Sequence, residues 1–147
     1  MANLGVVSLR GIYHEDSTIS WNLATGITTA DVGKAVTLDS TAANTMKLCD
    51  DNDPIWGRLE SVEVRGQEGT GVTIGTVAMR GSFDFTINPD ARSSSPDETP
   101  VVGEYLAGSK TTAGVKGYVQ KSAANAATKW VVVELLDSGA RVVAIKV

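Results

Sequence analysis

Short runs of alternating apolar and polar residues recur along this chain. Val36 and Leu38 flank Thr37, Met46 and Leu48 flank Lys47, and Val62 and Val64 flank Glu63. A period of two puts every second side chain on one face, so these runs predict half-buried strands, antiparallel where short turns join them. Phe83, Phe85 and Ile87 alternate with Asp84 and Thr86 and predict another strand with its apolar face on the core. Turn formers stand between the runs. Asp50-Asp51-Asn52-Asp53-Pro54 gathers side chains that hydrogen-bond their own backbone, then a proline that removes a donor, so a new strand begins at Ile55. Gly66-Gln67-Glu68-Gly69-Thr70-Gly71 reads as a hairpin tip.

The C-terminal third carries the plainest local signal. Lys129 to Leu136, then Asp137-Ser138-Gly139, then Ala140 to Val147 predict a hairpin with glycine in left-handed backbone. Its first arm is apolar almost throughout, which predicts burial on both faces, inside a sandwich or between subunits. Ser122 to Thr128 holds the best helix formers and predicts a short helix or a loop. Asn88 to Pro100, with Pro89, Pro96, Pro100 and three consecutive serines, predicts one long loop. Val32-Gly33-Lys34-Ala35-Val36 resembles Val102-Gly103-Glu104-Tyr105-Leu106, but one such pair is too little to establish a repeat. The expected architecture is all-β: one barrel or sandwich domain over residues 28–147, preceded by an N-terminal arm or edge strand over residues 1–27. A length of 147 residues fits one domain with a sizeable core.

Charge and cysteine content narrow the function. A formal charge of −4 opposes phosphate binding, which rests on clustered Lys and Arg, so nucleic acid is not an expected partner. No apolar run approaches a membrane span, and no charged-then-apolar leader is seen, so synthesis in a reducing cytoplasm is expected. The single Cys49 lies among carboxylates, which raise a thiol pKa and favour a quiet structural role.

Candidate chemistry is sparse. His14 is the one histidine, and Glu15 and Asp16 beside it point apart in extended chain, so a solvated loop is favoured over catalysis or zinc. Asp50, Asp51, Asn52 and Asp53 lack the glycine and glutamate positions of a calcium loop and suit a plain turn. Neither Gly33-Lys34 nor the Gly66–Gly71 stretch has the Gly-Lys-Ser/Thr ending of a phosphate loop. No cofactor or metal is expected. An acid–base pair drawn from Asp84, Asp90, Asp97 and Glu98 is the remaining enzymatic reading, with nothing to fix its spacing. Of the three tryptophans, Trp56 and Trp130 are expected in the core or a subunit interface, and Trp21 as an exposed anchor.

The stretch from 29 to 81, with Gly33, Pro54-Ile55, Gly57 and Val72-Thr73-Ile74 at its landmarks, resembles the decoration or cement proteins that tailed bacteriophages add to their capsids. The resemblance implies a non-enzymatic β-rich virion protein on the outer capsid surface. It binds the assembled major capsid protein, commonly as a homotrimer, and stabilises the shell. Leu4, Val6, Val7, Tyr13 and Trp21 are the expected partner-binding residues, from the apolar character of the N-terminal region. The alternative is a carbohydrate- or receptor-binding β module, which needs exposed aromatics and amides on one face.

Overall fold

The computed structural model describes residues 18–66, 71–94, 98–122 and 129–147. They form ten strands and one short helix: β1 (Thr18–Leu23), β2 (Ala35–Leu38), β3 (Thr45–Leu48), β4 (Gly57–Arg65), β5 (Val72–Ala78), β6 (Ser82–Thr86), α1 (Pro89–Ser94), β7 (Leu106–Lys110), β8 (Lys116–Lys121), β9 (Trp130–Leu136) and β10 (Arg141–Lys146). The all-β expectation holds, and closure into a barrel decides between barrel and sandwich for the first half: β1-β3-β2-β4-β5 is a closed ring.

The β2 and β3 runs fill that ring as their period requires, whereas on β4 Val62 lies against the core and Val64, near the strand's end, is exposed. Val36, Met46, Leu59 and Val77 pack inside with Leu23 and Ile27. Gly75 lies between Trp21 on β1 and Val62 on β4, and a Cβ there would sit 2.6 Å from Leu23 Cδ1, so only glycine leaves room for the core at this level. A second core holds Phe83, Phe85, Leu106, Val119, Trp130 and Val142, against which Ala35, Cys49, Ile55 and Ala78 of the barrel's outer side also pack.

The second half repeats the first. β6-β10-β9 and β7-β8 are sheets in their own right, joined by the Tyr105–Val131 and Ile87–Val119 bridges, so β6, β8, β7, β9 and β10 follow one another in a second ring. Each contact matches its counterpart: β1 with β3 and the end of β6 with β8 are parallel, and all the others are antiparallel. The registers match as well. Val77 pairs with Ile19 and Leu59, and Ala144 with Phe83 and Val132. Glu60 and Val133 are the residues skipped at a bulge in each ring. Ala24 N donates to Met46 O and Asn88 N to Val119 O, both at 2.9 Å. Gly33 (φ 92°) and Gly103 (φ 91°) close equivalent turns that enter β2 and β7. The shared Val-Gly pair is thus the visible trace of a repeat that the rest of the sequence conceals.

Several expectations are corrected. Thr18–Leu23 is neither arm nor edge strand: it is bonded to β5 on one side and β3 on the other, while residues 1–17 lie outside the described residues. The expected long loop opens with α1, because Pro89 suits the first helical position and the Asn88 side chain accepts from Asp90 N at 3.0 Å. The β9–β10 hairpin forms as expected, but its turn holds three successive positive φ values, at Asp137, Ser138 and Gly139. β9 is not buried on both faces, since Val133 and Leu135 are exposed. The expected hairpin tip at 67–70 and the short helix or loop at 123–128 lie outside the described residues.

Candidate interaction surface

The described carboxylates of the expected acid–base set divide between two clefts. Asp84 on β6 is held between two guanidiniums, with Arg58 Nη1 and Arg141 Nη1 each donating at 2.7 Å. Asp90 accepts the backbone N–H of Thr112, which holds its pKa below the usual range. It shares a cleft of about 380 Å³ with Glu98, while Asp84 lines a separate one of about 220 Å³. Asp97 lies outside the described residues.

The acidic turn acts as a fastener between the rings. Asp50 receives Lys110 Nζ at 2.7 Å and Lys116 Nζ at 2.8 Å, and these two ammonium groups hold its carboxyl well below the usual range. Asp51 Oδ1 accepts from Lys110 N at 2.9 Å, and Asn52 Oδ1 from Gln120 Nε2 at 3.3 Å. Asp53 Oδ2 accepts from Asp50 N and meets Lys47 Nζ. These oxygens serve the fold, and among the described residues no group of three or more His, Cys, Asp or Glu converges as metal ligands. Burial and then the nearby Asp53 raise the Cys49 thiol well above its ordinary pKa, in keeping with a structural role. His14, Glu15 and Asp16 lie outside the described residues.

The tryptophans divide differently from the sequence expectation. Trp130 is fully buried, donates from Nε1 to Ile55 O at 3.1 Å and packs edge-on to Phe85 at 5.3 Å between centroids. Trp56, expected in a core or interface, is exposed on this chain. Trp21, expected to stand out as an anchor, is partly buried against the barrel core because its strand closes the ring; its Nε1 is buried and unpartnered. Leu4, Val6, Val7 and Tyr13 lie outside the described residues, so Trp21 is the one partner-binding candidate with a described position.

Apolar side chains are left open elsewhere. Ile19, two residues before Trp21 on the same strand face, is 49% exposed. On β9, Val133 is 40% and Leu135 42% exposed, and Val101 and Val102 stand beside them in the turn whose Gly103 N donates to Val132 O. β10 pairs with one side of β9; the other is met by the turn at residues 103–105 as far as Val132, and among the described residues no further strand pairs there. The sequence carried the signal for Val133 and Leu135 in the apolar run of β9, but nothing in it marked Ile19, Val101 or Val102. Among the described residues no helix is long and apolar enough to cross a membrane. The chain matches no family model, no curated protein and no solved structure.

Proposed function

We propose that this protein is a structural virion component that binds the outer surface of an assembled phage capsid and stabilises it, acting as a homotrimer without catalysis. The observation that carries the reading, through its self-association, is the exposure of apolar Val133 and Leu135 on the hydrogen-bonded strand β9, with Val101 and Val102 in the turn that Gly103 bonds to Val132. An apolar patch fixed on a sheet, rather than on a loop, offers a partner a surface with little ordering entropy left to lose. The sequence stretch resembling cement proteins supplies strands β2 to β5, four of the five barrel strands. A trimer would engage several capsid subunits at once, so contacts weak in isolation hold through effective concentration.

Co-sedimentation of the purified protein with mature shells that lack it tests this. Saturable binding in multiples of three per local site, with a raised shell-disruption temperature, is expected. No protein in the pellet at any accessible concentration overturns the reading and moves it to a glycan-binding module, for which an array of immobilised glycans is the next assay.

A further inference from the structure

The two rings of the chain are themselves in contact, and the repeat shows what each half of that contact looks like when it is not used. In the first ring, the outer cross-strand row is Ala35, Arg58 and Ala78. The second ring covers it: Ala35 and Ala78 are buried, Arg58 binds Asp84 at 2.7 Å, and its guanidinium lies 5.8 Å from the centre of Phe83. Glu60, at the bulge beside this row, has an Oε1 with no accessible surface, and burial pushes its carboxyl pKa up.

The matching row of the second ring is Tyr105, Val131 and Ile145, with Val133 in the place of Glu60. All three row residues keep partial exposure, and Val133 is 40% exposed. Sheet faces left to solvent are normally polar, yet every one of these positions is apolar or aromatic. The covering half is duplicated too. Phe83 and Asp84 reach the first ring from β6, and their counterparts on β1 are Ile19 and Ser20. Ile19 is 49% exposed.

We propose that a second copy of this chain docks here head to tail, the Ile19 end of its first ring meeting the Tyr105–Val131–Ile145 row and Val133 of the neighbouring copy. The charges agree with it. Where the contact within the chain pairs Arg58 with Asp84 and adds Arg141, the unused halves carry Val131, Ser20 and Ile74 at the matching positions. Both positions of the ion pair are neutral together, so joining the halves leaves neither member of that pair without its partner. A contact between two different surfaces closes into a ring or runs on as a filament, and three copies in a closed ring give a trimer. This deepens the self-association part of the proposed function by naming its surface, and it is read in free solution without shells.

The test is sedimentation-velocity analysis of the full chain, of Ile19→Asp, of Val133→Asp, and of an equimolar mixture of the two variants. The wild type is expected to assemble, and each variant alone to weaken association by at least about tenfold. The mixture is expected to form a dimer and nothing larger, because each variant keeps one intact half. Thermal melting of each variant reports retained folding, and Val133→Ser provides a second variant that places no charge on the sheet. A wild type that stays monomeric, with the row covered by another part of its own chain or by nothing, overturns the proposal. So does assembly by folded Ile19→Asp when Val133→Asp is monomeric, since that marks a tail-to-tail contact. Failure to bind shells with head-to-tail assembly intact removes the capsid reading and leaves this inference standing.

Discussion

Leu59 and Val132 hold the same position in the two rings. Leu59 O accepts from Gly33 N at 2.7 Å and its N–H donates to Lys34 O at 3.0 Å; Val132 O accepts from Gly103 N at 2.8 Å and its N–H donates to Glu104 O at 2.9 Å. In each ring a glycine turn is thereby clamped to the long hairpin, which sets the entry of the following strand. The pairing pattern is kept while nearly every side chain in it differs, because strand ladders are made by backbone groups that all residues share.

Gly103 has a φ of 91° and nothing within 4 Å of an added Cβ, so replacing it isolates backbone strain. Gly103→Ala is expected to lower unfolding free energy by about 1 kcal/mol, and Gly103→Asn by less, because asparagine tolerates left-handed backbone. Urea denaturation midpoints check this, and equal losses for both variants would exclude strain as the cause.

At Gly108 the expected cause of damage is different. A Cβ there would collide with Cys49 Cβ and lie 2.8 Å from Asp50 O, in the seam between the rings. Gly108→Ala is expected to destabilise by about 1–3 kcal/mol through overpacking, more than Gly103→Ala does, and to broaden the thermal transition if the rings part before they unfold. Differential scanning calorimetry reads both effects.

Asp84 ties β6 to Arg58 on β4 and Arg141 on β10. Asp84→Asn leaves two guanidiniums facing one neutral amide. The pair groups are only partly buried, so the expected loss is about 1 kcal/mol at low ionic strength, shrinking as salt screens the charges. A loss that does not change between dilute buffer and concentrated salt would show that shape rather than charge is at work.

Acid stability depends on Asp50. Its hydrogen bonds to Lys110 and Lys116 lower its folded pKa well below the ordinary 3.8, so the folded state favours the charged form. Stability from this group is fully present above about pH 4 and is lost as pH falls from there toward the lower folded value. Asp31 and Glu104, also lowered, add to the same trend, whereas Glu60, raised by burial, opposes it. Melting temperatures of the wild type are expected to fall below about pH 4 more steeply than those of Asp50→Asn. Parallel curves would remove Asp50 from the account.

The Cys49 thiol is buried at the same seam with its pKa well above the ordinary value. Labelling by a thiol-reactive dye at neutral pH is expected to follow the rate of opening and to become immediate in denaturant. Rapid labelling of the native protein would mean that the seam opens freely.

Most of the strands and their inward faces are legible in residue order alone, β7 and β8 excepted. Alternation at Val36/Leu38, Met46/Leu48 and Phe83/Phe85/Ile87 follows from the two-residue period of a strand with one face in a core, and that is a local property. The same holds for the β9–β10 hairpin and for Asp50–Pro54 as a turn. What each face meets depends on long-range pairing. Trp21 is half-buried rather than an exposed anchor because exposure depends on which strand closes the barrel, and ring closure is set by pairings distant in sequence. The apolar run of β9 left open whether its partner lies in the chain or outside it, and only the folded chain shows Val133 and Leu135 uncovered. The repeat was legible as one Val-Gly pair, since backbone ladders preserve register without preserving side chains, and register is visible only in three dimensions.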